Sequence, residues 1–238
     1  MIFVSVMRLD KYIATYTDMS RKEAKAAIKK GRIRIEDEIV KKEDYKVSEH
    51  QKVVLDGERI QAESFVYYML NKPAGVVSAT KDNYDTTVVE LLKIPGRQLF
   101  PMGRLDKDTE GLLIMTDDGM LAHRLLSPKY HVEKTYEIIY EGVLDEDATQ
   151  QMEKGLDIGE KKLTLPAKLE LLGDKKARLT IAEGKFHQVK RMIAKVGGTV
   201  TYLKRVSMAG LELDECLQPG EYRKLTKEEV ERLRGEEG

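Results

Sequence analysis

The chain has 238 residues, with 41 basic and 41 acidic side chains, 41% apolar residues and a single cysteine, Cys216. That length fits one large domain or a small one joined to a larger one, and the composition supports a packed core rather than disorder. One cysteine excludes an intramolecular disulfide and a cysteine-based zinc site, so a reducing, intracellular setting is expected.

No apolar run approaches the roughly 20 residues that span a bilayer. The opening Ile2-Phe3-Val4-Ser5-Val6 is apolar, but it lacks a basic leader and is too short for a signal peptide. A cytoplasmic protein with no membrane partner is expected. The net charge of zero conceals two basic islands. From Met7 to Ile35 the basic residues are Arg8, Lys11, Arg21, Lys22, Lys25, Lys29, Lys30, Arg32 and Arg34, against Asp10, Asp18 and Glu23. From Lys185 to Arg205 no acidic residue interrupts the cations. Such islands suit a polyanion, although solvated charge explains either one alone equally well.

In chain order, Ser20-Arg21-Lys22-Glu23 forms a capping box that opens a helix to about Lys30, with Gly31 placed to end it. Ala24, Ala27 and Ile28 share an apolar face, and Arg21, Lys25 and Lys29 share an exposed one. Arg32-Ile33-Arg34-Ile35 alternates as a half-buried strand, Asp37-Glu38 turns, and Ile39-Val40 begins another strand. A further strand over Gln51–Leu55 ends at Asp56-Gly57. This unit resembles the S4 RNA-binding domain, on MRLDKYIA, SRKEAKAAIKKGRIRIEDEIV and VSEHQKVVLDG. The resemblance implies a small α/β RNA-binding domain at 7–61, contacting RNA through Arg8, Arg21, Lys25, Lys29 and Arg32. Ala62-Glu63-Ser64 reads as the linker.

Beyond it, Val66–Leu70 reads as a buried strand entering a turn at Asn71-Lys72-Pro73-Ala74-Gly75. Leu112–Thr116 is an apolar strand closed by Asp117-Asp118-Gly119, and Met120–Leu126 suits a short helix. Lys134–Tyr140 is a strand with Tyr136, Ile138 and Tyr140 on one face, and Lys176–Ala182 is another. His187–Val196 has the helical stripe Val189, Met192, Ile193, Val196 and stops at Gly197-Gly198. The fold class is therefore α+β, with a mixed, mostly antiparallel sheet in the second domain, at 65–234.

The stretch Pro101-Met102-Gly103-Arg104-Leu105-Asp106-Lys107-Asp108-Thr109-Glu110-Gly111-Leu112-Leu113 is a polar loop feeding an apolar strand. A carboxylate there can be held ionised by a neighbouring cation and by loop N–H groups. On residue chemistry alone, a solvated turn with local ion pairs fits it as well. The four histidines, His50, His123, His131 and His187, are scattered, and no metal-ligand spacing or phosphate-binding glycine loop is present.

GRLDKDTEGLLIMTDDG resembles the catalytic motif of the pseudouridine synthases, in the branch that includes ribosomal small-subunit pseudouridine synthase A. YMLNKPAG, EKTY, EGKFHQVKRM and the closing LQPGEYRKL agree with that family in the expected order. The resemblance implies isomerisation of uridine to pseudouridine in ribosomal RNA, without metal or cofactor. Asp106 would be the essential carboxylate, buried and kept charged by Lys190, with Tyr136 stacking on the target base. Arg104 would occupy the space left by the flipped nucleotide. Lys72, Lys185, His187, Gln188 and Arg191 would contact RNA, and Lys190 and Arg191 compete for the role of Asp106's partner. The resemblance further implies a monomer acting on small-subunit RNA or an assembling small-subunit particle. Large-subunit RNA is the alternative substrate. Two other readings are a non-catalytic S4-type RNA-binding protein and a glycosidase-like hydrolase using Asp106 and Asp108.

Overall fold

The computed structural model describes residues 6–17, 19–48, 51–60 and 65–235. Ile2 to Ser5, Asp18, His50 and the linker expected at Ala62-Glu63-Ser64 lie outside the described residues. The chain divides into two compact units, the first ending at Phe65 and the second beginning at Val66.

The first unit runs β1 (Val6–Arg8), α1 (Leu9–Tyr16), α2 (Arg21–Lys29), β2 (Ile33–Ile35), β3 (Glu38–Ile39), β4 (Lys46–Ser48), β5 (Val53–Leu55) and β6 (Glu58–Arg59). The capping box forms: Ser20 Oγ accepts from the Glu23 N–H at 3.3 Å, and Glu23 Oε2 accepts from the Ser20 N–H at 2.7 Å. Such a cap stabilises a helix by about 1 kcal/mol. Ala24, Ala27 and Ile28 are buried, as are Ile33 and Ile35 with Arg34 facing outward. Strands β3-β2-β5-β6 make an antiparallel sheet, and β1 pairs with β4. The first hairpin turns at Glu36-Asp37, one residue earlier than the sequence pattern implied, because Glu36 takes the left-handed conformation (φ 52°).

The second unit comprises β7 (Tyr67–Lys72), α3 (Val88–Leu92), β8 (Phe100–Pro101), β9 (Glu110–Thr116), α4 (Gly119–Leu126), β10 (Lys134–Gly142), α5 (Ala148–Lys154), β11 (Lys168–Gly173), β12 (Lys176–Ile181), α6 (Gln188–Lys195), β13 (Gly198–Met208), β14 (Leu211–Glu212), β15 (Tyr222–Lys224) and α7 (Lys227–Arg234). Among the described residues nine strands form one sheet, in the order β11-β12-β10-β13-β9-β7-β15, with β8 on β9 and β14 on β13. The β13–β9 pairing is parallel and the others are antiparallel. The apolar stripe of α6 (Val189, Met192, Ile193) packs with Tyr136, Ile138 and Tyr140 of β10 in the buried core.

Two departures from the sequence reading bear on the site. Strand β7 continues through Asn71 and Lys72, where a turn was expected, because Lys72 pairs with Gly111 and the Asn71 amide donates to the Leu217 carbonyl. The turn is confined to Pro73-Ala74-Gly75. Strand β13, eleven residues long, had no clear signal, since basic residues break its alternation.

Gly111 sets how closely β9 and β13 approach. Its φ is 101°, and a Cβ there would collide with the Arg205 carbonyl oxygen and lie 2.9 Å from the Arg205 nitrogen. Both obstacles are backbone, which cannot rotate away as a side chain can. Gly111→Ala is expected to cost about 3 kcal/mol of unfolding free energy, read by denaturant titration, since overpacking and a left-handed backbone add. A loss below about 1 kcal/mol would show that the two strands can separate without cost.

Candidate active site

The loop between β8 and β9 carries Asp106, and two buried side chains anchor it. Lys72 is fully buried, and its ammonium donates to the carbonyls of Pro73 (3.0 Å), Lys107 (3.2 Å) and Thr109 (2.7 Å). Burial pushes the Lys72 pKa down to about 8, against the charges of Asp108, Glu110 and Asp106. Ser78 Oγ donates to the Leu105 carbonyl at 2.9 Å and accepts from the Leu105 N–H at 3.0 Å. Asp106's preceding residue is thereby clamped by one buried hydroxyl. Lys107 Nζ, farther out, pairs with Asp85 at 2.6 Å.

The first turn of α6 meets this loop. Lys190 Nζ lies 3.4 Å from Asp106 Oδ2 and donates to both oxygens of Asp108 at 2.7 and 2.8 Å. The ammonium is thus shared between two carboxylates, and it holds the Asp108 carboxyl below the usual range. His187 Nε2 is 3.6 Å from the other oxygen of Asp106. The Asp106 side chain is 28% exposed, so the carboxylate is not buried as expected; it stands at the wall of an open cavity. In this partly wet setting an ion pair contributes little to stability, but it biases a carboxyl towards its charged form.

That cavity has a volume of about 600 Å³, in the range of ligand pockets. Tyr136 lines it from β10, 8% exposed, together with Leu203 and Arg205 of β13 and Lys134. Burial and the neighbouring Arg205 charge push the Lys134 pKa down to about 8, against Glu183. Arg205 is 1% exposed; its Nε donates to the Leu112 carbonyl, and its Nη2 has no hydrogen-bond partner among the described residues. Neither cation is marked as a site residue in the sequence, where Lys134 opens a strand and Arg205 ends a basic island.

Of the expected site residues, Asp106, Tyr136, Lys190, Arg104, Lys185, His187 and Gln188 all line the cavity. Arg104 is exposed there and makes no ion pair among the described residues. Two expected RNA contacts are corrected, and the choice between Lys190 and Arg191 is resolved geometrically. Lys72 faces inward, where RNA cannot reach it. Gln188 is buried, and its amide is consumed by Glu183 (3.0 Å) and the Lys185 N–H (2.8 Å). Arg191 turns away from Asp106 to hold the carbonyls of Phe186 and Ile158 and the carboxylate of Glu160, which leaves Lys190 as the partner of Asp106. The Lys185 ammonium is likewise engaged, by the carbonyls of Lys162 and Leu163. No signal in the sequence marked Ser78, since a serine after a turn gives no hint of what its hydroxyl clamps.

In the first unit Asp10, fully buried, gathers Arg8 (3.1 Å), Arg21 (3.4 Å) and Lys25 (3.9 Å), while Glu43 holds Lys25 and Lys29. Burial pushes the Asp10 pKa up, but the Arg8 hydrogen bond and the Arg21 charge outweigh it and leave it below the ordinary range. Four cations over two carboxylates keep a positive excess on this face. Arg32 is not part of that cluster and pairs with Asp56 at 2.8 Å.

The second unit thus holds a loop-borne carboxylate, a helix-borne lysine and a strand tyrosine at one cavity, and the first unit carries a basic face. Residues 66–195 match the RNA pseudouridylate synthase family and residues 7–53 the S4 domain. The chain belongs to the RNA pseudouridylate synthase family and is an RNA pseudouridine synthase. It is 47% identical to the uncharacterized RNA pseudouridine synthase YtzG of Bacillus subtilis, covering 95% of this chain and 98% of that one. It is 44% identical to ribosomal small subunit pseudouridine synthase A of Escherichia coli K12, over 94% of this chain and 98% of that one. A crystal structure of a pseudouridylate synthase, 41% identical, superposes with a TM-score of 0.70 over 95% of this chain and 99% of its own.

Ser78→Ala removes both bonds to Leu105 and leaves a buried N–H unpaired, at a cost of about 1–3 kcal/mol in loop order. It is expected to lower kcat about tenfold with KM for RNA nearly unchanged, because the loss falls on Asp106's position and not on binding. An unchanged kcat would show that Lys72 alone suffices to hold the loop.

Proposed function

We propose that this enzyme converts a uridine of small-subunit ribosomal RNA to pseudouridine, with Asp106 as the catalytic carboxylate. The observation that carries the reading is Asp106 itself, flanked by Lys190 and His187 on the wall of a cavity roomy enough for one flipped nucleotide. The reaction breaks the C1′–N1 bond and forms C1′–C5 on the same base; N1 gains a proton and C5 loses one. A charged carboxylate serves either as the base at C2′ or as the nucleophile at carbon. Tyr136 would stack on the displaced base, and Arg104 would reach into the gap it leaves. Arrival of the RNA would exclude water from Asp106 and so strengthen its pairing with Lys190.

The small-subunit target rests on likeness to the enzymes named for that activity. We place the RNA-binding domain at 7–61 and the catalytic domain at 65–234. Arg8, Arg21, Lys25 and Lys29, held by Asp10 and Glu43, would contact phosphates in a salt-dependent manner. A ribosomal RNA substrate supports action in the cytoplasm, and among the described residues no helix is long and apolar enough to cross a membrane.

RNA tritiated at uridine C5 tests the reaction, since isomerisation releases that tritium. The protein is expected to release it from small-subunit transcripts without free uracil, and Asp106→Asn to lower release by at least about a thousandfold. Substantial turnover by the Asn variant would refute the role of Asp106. Release from large-subunit transcripts alone would move the substrate to that RNA.

A further inference from the structure

Phe186 stands at the rim of the cavity with 74% of its surface exposed. An apolar ring left in water contributes nothing to the fold, yet its backbone is fixed with care. Arg191 Nη1 donates to the Phe186 carbonyl at 3.0 Å while also bonding Glu160. Gln188 ties the preceding turn together through the Lys185 N–H and Glu183.

One face of the phenyl ring is covered. His187 stacks on it, with ring centroids 3.8 Å apart and planes inclined by 22°. To do so His187 takes a left-handed backbone (φ 48°), a conformation that costs a residue with a Cβ. The same imidazole reaches to 3.6 Å from Asp106 Oδ1. A stacked aromatic pair therefore leads from solvent to the catalytic carboxylate, beside the exposed Arg104.

We propose that the Phe186–His187 stack is the seat of the nucleobase next to the target uridine. The inference rests on the cavity being the uridine-isomerising site. When a uridine leaves its stack, the neighbouring base loses one stacking face, and a flat aromatic ring at the cavity rim restores it. A base is flat and presents an uncharged π face, which matches the open side of Phe186. Cations on the same rim meet the flanking phosphates. Phe186 is thus a binding residue that seats the base flanking the flipped uridine and contributes to RNA affinity.

The test compares the full-length protein with Phe186→Leu and Phe186→Tyr on small-subunit transcripts, with Kd read by filter retention and turnover by tritium release. Phe186→Leu is expected to raise Kd about tenfold, with the single-turnover rate at saturating protein within about threefold, and Phe186→Tyr to restore binding. Replacing one base beside the modified uridine by an abasic site is expected to weaken the unaltered protein similarly and Phe186→Leu no further. Unchanged Kd for Phe186→Leu, or additive losses for abasic sites on both flanks, would overturn the proposal. Absent tritium release from every transcript would strike the catalytic reading instead, while the Kd comparison would still decide the stack.

Discussion

Asp106 stands on the wall of an open cavity with the ammonium of Lys190 3.4 Å from its carboxylate, and the proposed site is built around that pair. The two arrive from distant parts of the chain, one on the loop before β9 and one on the first turn of α6. Their meeting needs a loop that does not drift. Lys72 holds it by two of its carbonyls, Ser78 by the backbone of Leu105, and Gly111 by letting β13 lie directly against β9. Each anchor is a polar or steric demand met inside the protein, so the proposed catalytic side chain is left facing the cavity. That division, a rigid support beneath an accessible carboxylate, is the usual requirement for preorganised electrostatics.

Lys190 is closer to Asp108 than to Asp106. In the RNA-free protein the shared ammonium keeps two like charges from repelling across the loop. In the proposed complex an incoming phosphate would favour Lys190 and disfavour Asp108, which is 72% exposed. The first unit uses a similar device at its own scale. Asp10 and Glu43 pair with Arg8, Arg21, Lys25 and Lys29 and hold these long cationic side chains in place for the proposed RNA contact. Ordering them in advance lowers the entropy lost on binding.

How much was legible in the sequence depended on whether a signal was periodic or inward. The capping box at Ser20, the buried stripe of α6 and the alternating face of β10 could all be read, because helical and strand periods mark which side is buried. The motif Gly103–Leu113 identified Asp106 only together with its companions in order; its own chemistry fitted an ordinary charged turn equally well. The failures were polar residues that turn inward. Lys72 and Gln188 look like surface residues in a basic, RNA-facing segment, and nothing local shows that one caps loop carbonyls and the other ties a turn. The choice between Lys190 and Arg191 was open for a related reason. Neighbours on a helix point about 100° apart, and only the position of Glu160 and Ile158 shows which one faces the cavity.

The most direct measurement is the single-turnover rate on small-subunit transcripts for Lys190→Met and Lys190→Arg at saturating protein. If Lys190 keeps Asp106 charged in the closed site, Met lowers the rate at least about a hundredfold and Arg keeps most of it, with RNA affinity changed far less in both. A Met variant that retains near-normal turnover, or one that loses only affinity, would contradict the account.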